Sequence, residues 1–395
     1  MPGASLQYLS DELNKLREQK LYQKLRILET EQKAVSRFDG REVINLSSNN
    51  YLGLTTHPLL KLRAIEALVN FGVGSGAVRT IAGTMTIHMA LEEKIAKFKH
   101  SDASVVFQSG FTANAGTVQA ILGKEDVIIS DELNHASIID GCRLSRAEIK
   151  VFPHKDLDAC EKILKDLAVR KCRKLLITDG VFSMDGDIAP LPGLVGLAEK
   201  YGCIMMIDDA HASGVLGQNG RGTVDHFKLH GRVDIQVGTL SKAIGALGGY
   251  VCSTRDTIEF LYHRARPFLF STSHPPSVAA TCLAAFEVLE DEPERIDKLW
   301  ANTRFFKEGL KKLGFNTGVS ETPITPVIVG DAALAHQFSR ELFAEGVFAM
   351  SVGFPTVPVG KARIRTIVTA THTEDELSRA LQILGIVGKK LKIIE

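Results

Sequence analysis

The clearest pattern in the sequence is a series of short apolar runs, most of them followed by a segment with helical periodicity. Apolar runs of this length are typical of strands buried on both faces, and the periodic segments are typical of helices. Strands are predicted at 103–107, 126–129, 148–152, 174–178, 203–207, 233–238 and 248–252. The alternation predicts an α/β fold with a mostly parallel sheet covered by helices on both faces.

The pattern changes after residue 273, where long amphipathic helices begin. Helices are predicted at 276–290, 293–313, 331–345 and 373–390, with strands at 324–329, 347–352 and 363–369. At the other end of the chain, leucines at 6, 9, 13 and 16 predict an amphipathic helix that packs on the body or on a partner subunit. We therefore predict an N-terminal helix and arm (1–45), a large domain (46–282) and a smaller C-terminal α/β domain (283–395).

Composition narrows the class of protein. The 395 residues are 45% hydrophobic and 24% charged, as in ordinary globular enzymes, and a net charge of +1 gives no sign of a nucleic-acid or membrane partner. The six cysteines form no Cys-x-x-Cys pair, which favours reduced thiols and a cytoplasmic protein. No signal peptide or membrane span is expected, because the chain has no apolar leader and no run of 18 apolar residues.

Several chemically useful residues follow the predicted strands. Lys242 lies in Gly-Thr-Leu-Ser-Lys after the strand at 233–238, and Asp208 follows the strand at 203–207. Loss of hydration lowers the pKa of a lysine and favours Schiff-base chemistry, whereas a carboxylate keeps a pyridine nitrogen protonated. His135 and His211 also follow strands. Each residue taken alone has an ordinary structural explanation, such as a solvated loop lysine.

Two loops raise the question of a bound ion. Ser109–Asn114 opens a helix directly after the strand at 103–107, and free amides at such a position bind anions, although plain helix capping gives the same sequence. The loop at 178–187 contains three aspartates but lacks the spacing of a calcium loop. From the residues alone, an anion site and plain helix capping both stay open for the first loop, and we expect no metal at the second.

Together these segments resemble the α-oxoamine synthases. The matching stretches are SSNNYLG at 47–53, SGFTANAG at 109–116, DELNHASIIDG at 131–141, TDGVFSMDGDIAPL at 178–191, IDDAHASGVLG at 207–217, GTLSKA at 238–243, RPFLFSTS at 266–273 and KARIRTIVTATHT at 361–373. The resemblance covers nearly the whole chain. It implies a fold-type I, aspartate aminotransferase-like transferase that depends on pyridoxal 5'-phosphate (PLP).

The resemblance also implies roles for individual residues. Lys242 would form the Schiff base and act as the base, Asp208 would pair with the pyridine nitrogen, and His135 would stack on the ring. Further PLP contacts are implied for Gly110, Phe111, Ser183, His211, Thr239, Ser271 and Thr272, the last two on the neighbouring subunit of a homodimer with shared active sites. Substrate contacts are implied for Asn49, His135, Ser183, Thr356 and Arg365, with Arg363 as an open alternative to Arg365.

The implied reaction is the condensation of a small amino acid with an acyl-CoA, the activity of an EC 2.3.1 acyltransferase. Glycine with acetyl-CoA, giving 2-amino-3-oxobutyrate as in threonine degradation, is the first expectation. The alternative is L-alanine with pimeloyl-CoA or a pimeloyl carrier protein, with decarboxylation to 8-amino-7-oxononanoate as in biotin biosynthesis, or an enzyme with both activities. The segment 353–358 also resembles the oxononanoate synthases, in which an arginine is expected near the position of Gly353. Its absence removes a charge that could help to fix a carboxylate, and this counts against the second reaction.

Two other classes of function are also considered. A nicotinamide-dependent dehydrogenase would share the doubly wound sheet, but no Gly-x-Gly-x-x-Gly follows the first strand. A non-catalytic subunit with the same fold would not need Lys242, Asp208 and His135. Both alternatives therefore explain less of the sequence than a PLP-dependent acyltransferase.

Overall fold

The computed structural model describes residues 4–19, 21–22, 24–354 and 356–395. The chain forms two compact units. Unit 1 combines the described residues of Met1–Ser48 with Met184–Gly186 and Leu299–Glu395, and unit 2 combines Asn49–Ser183 with Asp187–Lys298.

The regular elements follow the predicted order closely. The strands are β1 Val35–Phe38, β2 Arg41–Asn45, β3 Ala103–Phe107, β4 Val127–Asp131, β5 Glu148–Phe152, β6 Lys174–Asp179, β7 Ile204–Asp208, β8 Ile235–Thr239, β9 Gly249–Ser253, β10 Ile324–Gly330, β11 Val347–Phe348, β12 Met350–Val352 and β13 Ala362–Ile367. The α-helices are α1 Gln7–Glu18, α2 Pro58–Phe71, α3 Thr86–Phe98, α4 Gly110–Ile121, α5 Ala136–Ser145, α6 Leu157–Asp166, α7 Leu191–Tyr201, α8 Thr223–His226, α9 Arg255–Arg264, α10 Arg266–Leu269, α11 Pro276–Asp291, α12 Glu294–Lys312, α13 Ala332–Ala344 and α14 Glu374–Lys390.

Unit 2 is built on a seven-stranded sheet in the order β3-β9-β8-β7-β6-β4-β5. All neighbouring pairs are parallel except those of β9, which runs antiparallel to both β3 and β8. Consecutive residues of β4 enter different cores, since Ile128 belongs to one buried cluster and Val127 and Ile129 to another. Both faces of the sheet are thus covered at β4, as the continuous apolar runs predict, whereas the edge strand β5 is mostly exposed.

Unit 1 contains two small sheets. In one, β2 pairs antiparallel with β1 and parallel with β11, and in the other β13 lies between β10 and β12. The strand predicted at 347–352 is divided into β11 and β12, which belong to different sheets. The predicted N-terminal helix is α1, and none of its described side chains is buried in the single chain. The leucine side of α1 is therefore exposed in one subunit.

The compact units differ from the predicted division of the chain. The arm at 1–45 was expected to be separate, whereas its described residues belong to unit 1 together with the C-terminal segment. The boundary was expected near residue 283, in the middle of what is α11, but unit 2 continues to Lys298. The physical reason is that α11 packs against α2 and α3. A helix that fills one core cannot be divided between two units.

Two further sequence expectations concern the cysteines and membrane spans. Cys142, Cys160, Cys252 and Cys282 are buried and free, and Cys172 and Cys203 are half-buried and free. Burial raises the pKa of Cys142 to about 12, which makes its thiol a poor nucleophile. None of the helices in the described part of the chain has the length and apolar character that a membrane crossing requires.

Candidate active site

The candidate site lies at the carboxyl ends of the parallel strands in unit 2. β6 ends at Asp179 and β7 ends at Asp208, and these two residues are direct neighbours in the strand register. β8 ends at Thr239, two strands from Asp179. Because parallel strands end at the same edge of a sheet, the polar residues that follow them gather there.

The Asp208 carboxylate is buried and is held by two donors. Asn114 Nδ2 donates to Asp208 Oδ2 at 2.6 Å, and the amide nitrogen of Ala210 donates to Oδ1 at 2.8 Å. Asn114 is itself fully buried on α4 and also donates to Ser137 Oγ at 3.0 Å. The carboxylate therefore has a fixed orientation before any ligand binds.

Asp179 places a second buried carboxylate beside Asp208. Its Oδ2 accepts a hydrogen bond from the amide nitrogen of His135 at 2.7 Å. Burial and the neighbouring Asp208 carboxylate hold the pKa of Asp179 well above its usual range, while the ammonium of Lys242 acts in the opposite direction. Two carboxylates in a buried setting favour a proton or a cationic group between them.

Lys242 lies in the connection between β8 and β9 and is half-buried. Its carbonyl oxygen accepts a hydrogen bond from Gly245 at 2.9 Å. Before it, Thr239 Oγ1 lies 2.8 Å from Ser241 Oγ and donates to the carbonyl oxygen of Gly248 at 2.9 Å. The lysine is thus carried by a turn with internal hydrogen bonds, and its charge acts on Asp179.

The N-terminus of α4 supplies amide donors near the end of β8. Ser109 caps the helix by accepting a hydrogen bond from the amide of Thr112 at 3.1 Å. The amides of Gly110 and Phe111 begin the helix and have no acceptor within it. A Cβ atom on Gly110 would lie 3.4 Å from Thr239 Cβ, so the helix start and the β8 end are adjacent. This geometry suits an anion.

The two predicted histidines occupy different environments. His135 is the N-cap of α5, is exposed in the single chain, and has its Nδ1 2.7 Å from Ser137 Oγ. His211 is buried, and its Nδ1 lies 2.8 Å from the hydroxyl of Tyr51. Both rings are therefore oriented by a hydroxyl group.

The other predicted residues are divided between the units. In unit 2, Ser183, Asn49 and Ser271 are half-buried, and Thr272 is exposed with its carbonyl oxygen accepting a hydrogen bond from Gln108 Nε2 at 2.7 Å. In unit 1, Arg365 and Thr356 line one cavity of about 580 Å³. Pro355, next to Thr356 in the segment at 353–358, lies outside the described residues.

The structure distinguishes the two candidate arginines of β13. Arg363 is buried and donates to Asp185 Oδ1 at 2.5 Å and to the carbonyl oxygen of Met184 at 3.0 Å. Its charge is therefore already balanced within unit 1. Arg365 is half-buried at the cavity wall. A carboxylate ligand in this cavity would meet Arg365 rather than Arg363.

Two residues of the site were missed by the sequence reasoning. Asn114 was part of a matching stretch but was given no role, although a polar side chain on an otherwise small and apolar helix face was a usable signal. Tyr51, the partner of His211, has no such signal, because 160 positions separate the two residues.

Comparison with known proteins gives the family. The family model described as aminotransferase class I and II matches residues 41–384. The chain belongs to this family. It is 62% identical to the 8-amino-7-oxononanoate synthase of Symbiobacterium thermophilum over 98% of this chain and 99% of that protein. It is 58% identical to the protein of the same name from Thermoanaerobacter pseudethanolicus, over 98% of both.

Solved structures agree with this family. A serine palmitoyltransferase from S. paucimobilis with bound PLP superimposes with a TM-score of 0.94 at 32% identity, covering 99% of both chains. The predicted fold-type I architecture and the resemblance to the α-oxoamine synthases are thus confirmed. The predicted class, a PLP-dependent acyltransferase, agrees with the names of these relatives. Of the two predicted reactions, these names support the alternative rather than glycine with acetyl-CoA.

Proposed function

We propose that the protein condenses L-alanine with a pimeloyl thioester to give 8-amino-7-oxononanoate, carbon dioxide and the free thiol, with PLP as its cofactor. The observation that carries the proposal is the 62% identity, over nearly the full length of both chains, to a protein of that name. The glycine and acetyl-CoA reaction becomes the second candidate. The missing arginine at Gly353 does not outweigh a similarity that extends over the whole chain.

The polar groups of unit 2 fit the cofactor. The fixed carboxylate of Asp208 suits a protonated pyridine nitrogen, and Lys242 supplies the amine that a pyridoxal aldehyde requires. The amides of Gly110 and Phe111 and the hydroxyl of Thr239 would hold the phosphate. When bound, PLP supplies an electron sink for the Cα carbanion of an amino acid.

The chain's own residues then have distinct tasks. Lys242 Nζ takes the proton from Cα of the amino acid, and His135 polarises the carbonyl oxygen of the thioester. His211, whose ring is fixed by Tyr51, and Ser183 would help to hold the cofactor through its ring hydroxyl. Asp208, whose two oxygens are held in place by Asn114 and Ala210, would favour the protonated form of the pyridine nitrogen.

Substrate carboxylates are assigned to Arg365 and Asn49. A guanidinium suits bidentate binding of the alanine carboxylate, and Arg365 is the arginine of β13 whose side chain reaches the cavity. Thr356 lines the same cavity. We assign it to the substrate as well.

The cavity of unit 1 supports a long acyl chain. Its lining includes the apolar side chains of Leu16, Phe38, Met184, Phe348, Met350 and Val352. A volume of about 580 Å³ lies within the range of sites for drug-sized ligands, far above what an acetyl group fills. A pimeloyl chain would gain burial along these walls, whereas an acetyl group is too short to do so.

The homodimer is part of the proposal. Ser271 and Thr272 would reach the phosphate bound by the partner subunit, so a complete site would need two chains. Mixing a Lys242→Ala subunit with a subunit altered at both Ser271 and Thr272 should restore activity, because one site of the mixed dimer keeps both features. The cytoplasmic location stays a prediction.

The test compares the two reactions under matched conditions. Thiol release and product mass are measured for L-alanine with pimeloyl-CoA and for glycine with acetyl-CoA. We expect kcat/KM to favour the first pair by at least about 100-fold, within what apolar pockets achieve over several methylenes. Preference for the second pair would make the glycine reaction the function, and no product from either would overturn both.

A cavity variant tests the acyl assignment. Val352→Trp should lower kcat/KM for pimeloyl-CoA by more than about tenfold, since an indole occupies space that the chain needs. Exchange of the alanine α-proton with solvent should be unchanged, because it involves no acyl group. Ile386→Trp, which adds the same bulk at an exposed position of α14, is the control. An equal effect of both variants would argue against the assignment.

A further inference from the structure

A second group of ligating side chains lies on unit 2, outside the candidate active site. It consists of His100, Asp225 and His230. His100 follows α3, Asp225 lies in α8, and His230 lies in the loop between α8 and β8. Because 125 positions separate His100 from Asp225, no local sequence motif contains all three residues. The fold brings them together.

The geometry of the group is close to that of a metal site. His230 Nε2 lies 2.9 Å from Asp225 Oδ1, and one ligand atom from each of the three residues lies within 4.8 Å of the others. The rings of His100 and His230 lie 4.7 Å apart between centroids. Nitrogen and oxygen ligands about 2.0–2.1 Å from a tetrahedral ion are about 3.3 Å from one another. Small side-chain rotations would therefore bring all three onto one ion.

We propose that His100, Asp225 and His230 form a site for a divalent transition-metal ion, with Zn²⁺ as the best match. Two imidazoles and one carboxylate are ligands that Zn²⁺, Cu²⁺ and Ni²⁺ prefer, whereas Mg²⁺ and Ca²⁺ prefer oxygen alone. Three protein ligands leave a fourth position for water or another ligand.

The backbone around the group is anchored independently of any metal. Asp225 Oδ2 accepts a hydrogen bond from the amide of Gln218 at 2.6 Å, which orients the carboxylate. Lys99, next to His100, and Thr223, two residues before Asp225, both bind the buried carboxylate of Asp209. The two segments that carry the ligands are thus joined through one buried aspartate, so binding a metal costs little additional ordering.

Two features work against the metal and set the expected affinity. Burial, the neighbouring His230 and the guanidinium of Arg221 lower the pKa of His100. Burial raises the pKa of Asp225, but the Gln218 amide, His230 and Arg221 together lower it. The guanidinium of Arg221 also repels an added cation. The metal must also displace the hydrogen bond between His230 and Asp225. Both effects weaken the site without removing a ligand. We therefore expect the site to be weaker than a buried structural zinc site.

The test uses the complete holoenzyme after treatment with a chelator. Titration with Zn²⁺ by calorimetry, and with Co²⁺ by visible spectroscopy, should show one ion bound per chain. His230→Ala should lower the Zn²⁺ affinity by at least about tenfold, since it removes a ligand. His100→Asn should do the same, and asparagine is chosen because it tolerates the left-handed backbone at this position, where φ is +53°. His226→Ala, an exposed histidine outside the group, should bind Zn²⁺ as the unaltered enzyme does.

A second measurement keeps the test decisive if one variant folds poorly. Zn²⁺ should raise the thermal unfolding midpoint of the unaltered enzyme and of His226→Ala, but not that of His230→Ala. The proposal is overturned if the holoenzyme binds no ion under these conditions. It is equally overturned if His100→Asn and His230→Ala bind Zn²⁺ as tightly as the control, because the ion would then lie elsewhere.

Discussion

Asp208 and Asp209 are consecutive residues of unit 2, and each lies in a buried site on which a different lysine acts. Asp209 accepts a hydrogen bond from Lys99 Nζ at 2.8 Å, and both side chains are fully buried. Asp208 instead lies beside Asp179, on whose carboxylate the half-buried Lys242 acts. The sequence shows only Asp-Asp and two lysines far apart, so the difference between the two sites arises entirely from their surroundings.

The Asp209 carboxylate is bound by several groups of the protein itself. It also accepts hydrogen bonds from the hydroxyl and the amide of Thr223. Burial would lower the pKa of Lys99, but Asp209 and Tyr250 raise it, and the net pKa lies above its usual value. Every strong interaction of this pair is made within the protein.

The Asp208 carboxylate is held in a different way. Its donors are a side-chain amide and a backbone amide, neither of which carries charge. Its acidic neighbour is Asp179, whose pKa is raised by burial and by Asp208. The comparison shows that burial alone does not identify a catalytic lysine. Lys242, the lysine that we propose for catalysis, is the less buried of the two.

The largest expected effect comes from removing the amine of Lys242. Lys242→Ala should lower kcat by at least about 10⁴-fold, as the loss of a nucleophile or base does in other enzymes. With PLP removed from both proteins, the unfolding free energy should change little, because the side chain is half-buried and contributes little to the core. Steady-state turnover and urea unfolding measure the two quantities. Near-normal turnover would contradict the assignment of Lys242.

Removing the amine of Lys99 should instead lower the stability of the protein. Lys99→Met leaves the Asp209 carboxylate buried without its cation, which costs about 3–5 kcal/mol of unfolding free energy. The double variant Lys99→Met with Asp209→Asn should recover part of this loss, because the buried charge is removed. Urea unfolding measures both variants. If Lys99→Met abolished turnover in a protein of unchanged stability, the contrast between the two sites would be wrong.

Replacing Asp208 or Asp209 by asparagine compares the two sites directly, because each change removes one carboxylate charge. Asp208→Asn should lower kcat by at least about 100-fold, because an amide does not keep a pyridine nitrogen protonated. Asp209→Asn should mainly lower stability. Stability is compared after removal of PLP, so that loss of cofactor binding does not enter the result. Equal effects of the two changes on kcat would remove the distinction.

The smallest expected effect is a pH dependence at a third ion-pair cluster. Burial lowers the pKa of His154, but hydrogen bonds to Asp131 at 3.0 Å and Asp187 at 2.9 Å raise it to about 9. A raised pKa in the folded state means that this stability is fully present below about pH 6.5 and is lost as pH rises through about 9.

The expected loss between these pH values is about 1–2 kcal/mol after allowance for solvent screening. Urea unfolding of the unaltered protein and of His154→Gln at pH 6.5, 8 and 9.5 measures it. The variant should be less stable at pH 6.5 and should lose less stability as pH rises. Parallel curves for the two proteins would show that His154 does not carry the dependence.

The sequence by itself determined much of the architecture. Apolar runs predicted the strands of the large sheet to within about two residues, because a strand buried on both faces must be apolar along its whole length. The direction of β9 was not predicted from composition, which is the same as that of its neighbours. The connection at 240–248 was a usable signal, because it has no helix and is too short for a parallel crossover. The apolar segment at 43–46 indicates the end of β2, but β1 is too polar to form an apolar run, so the hairpin of β1 and β2 was not predicted.

For the candidate site, the resemblance to a family suggested which residues take part. The tertiary structure decided which of these residues contact one another. Lys242, Asp208 and His211 were recognised in local motifs. The roles of Asn114, Tyr51 and Lys99 depend on partners about 90 or more positions away. The assignment of Arg363 to an ion pair with Asp185, and of Arg365 to the cavity wall, follows from packing alone. Hydrogen bonds and ion pairs act over a few ångströms in space, and distance along the chain does not report that separation.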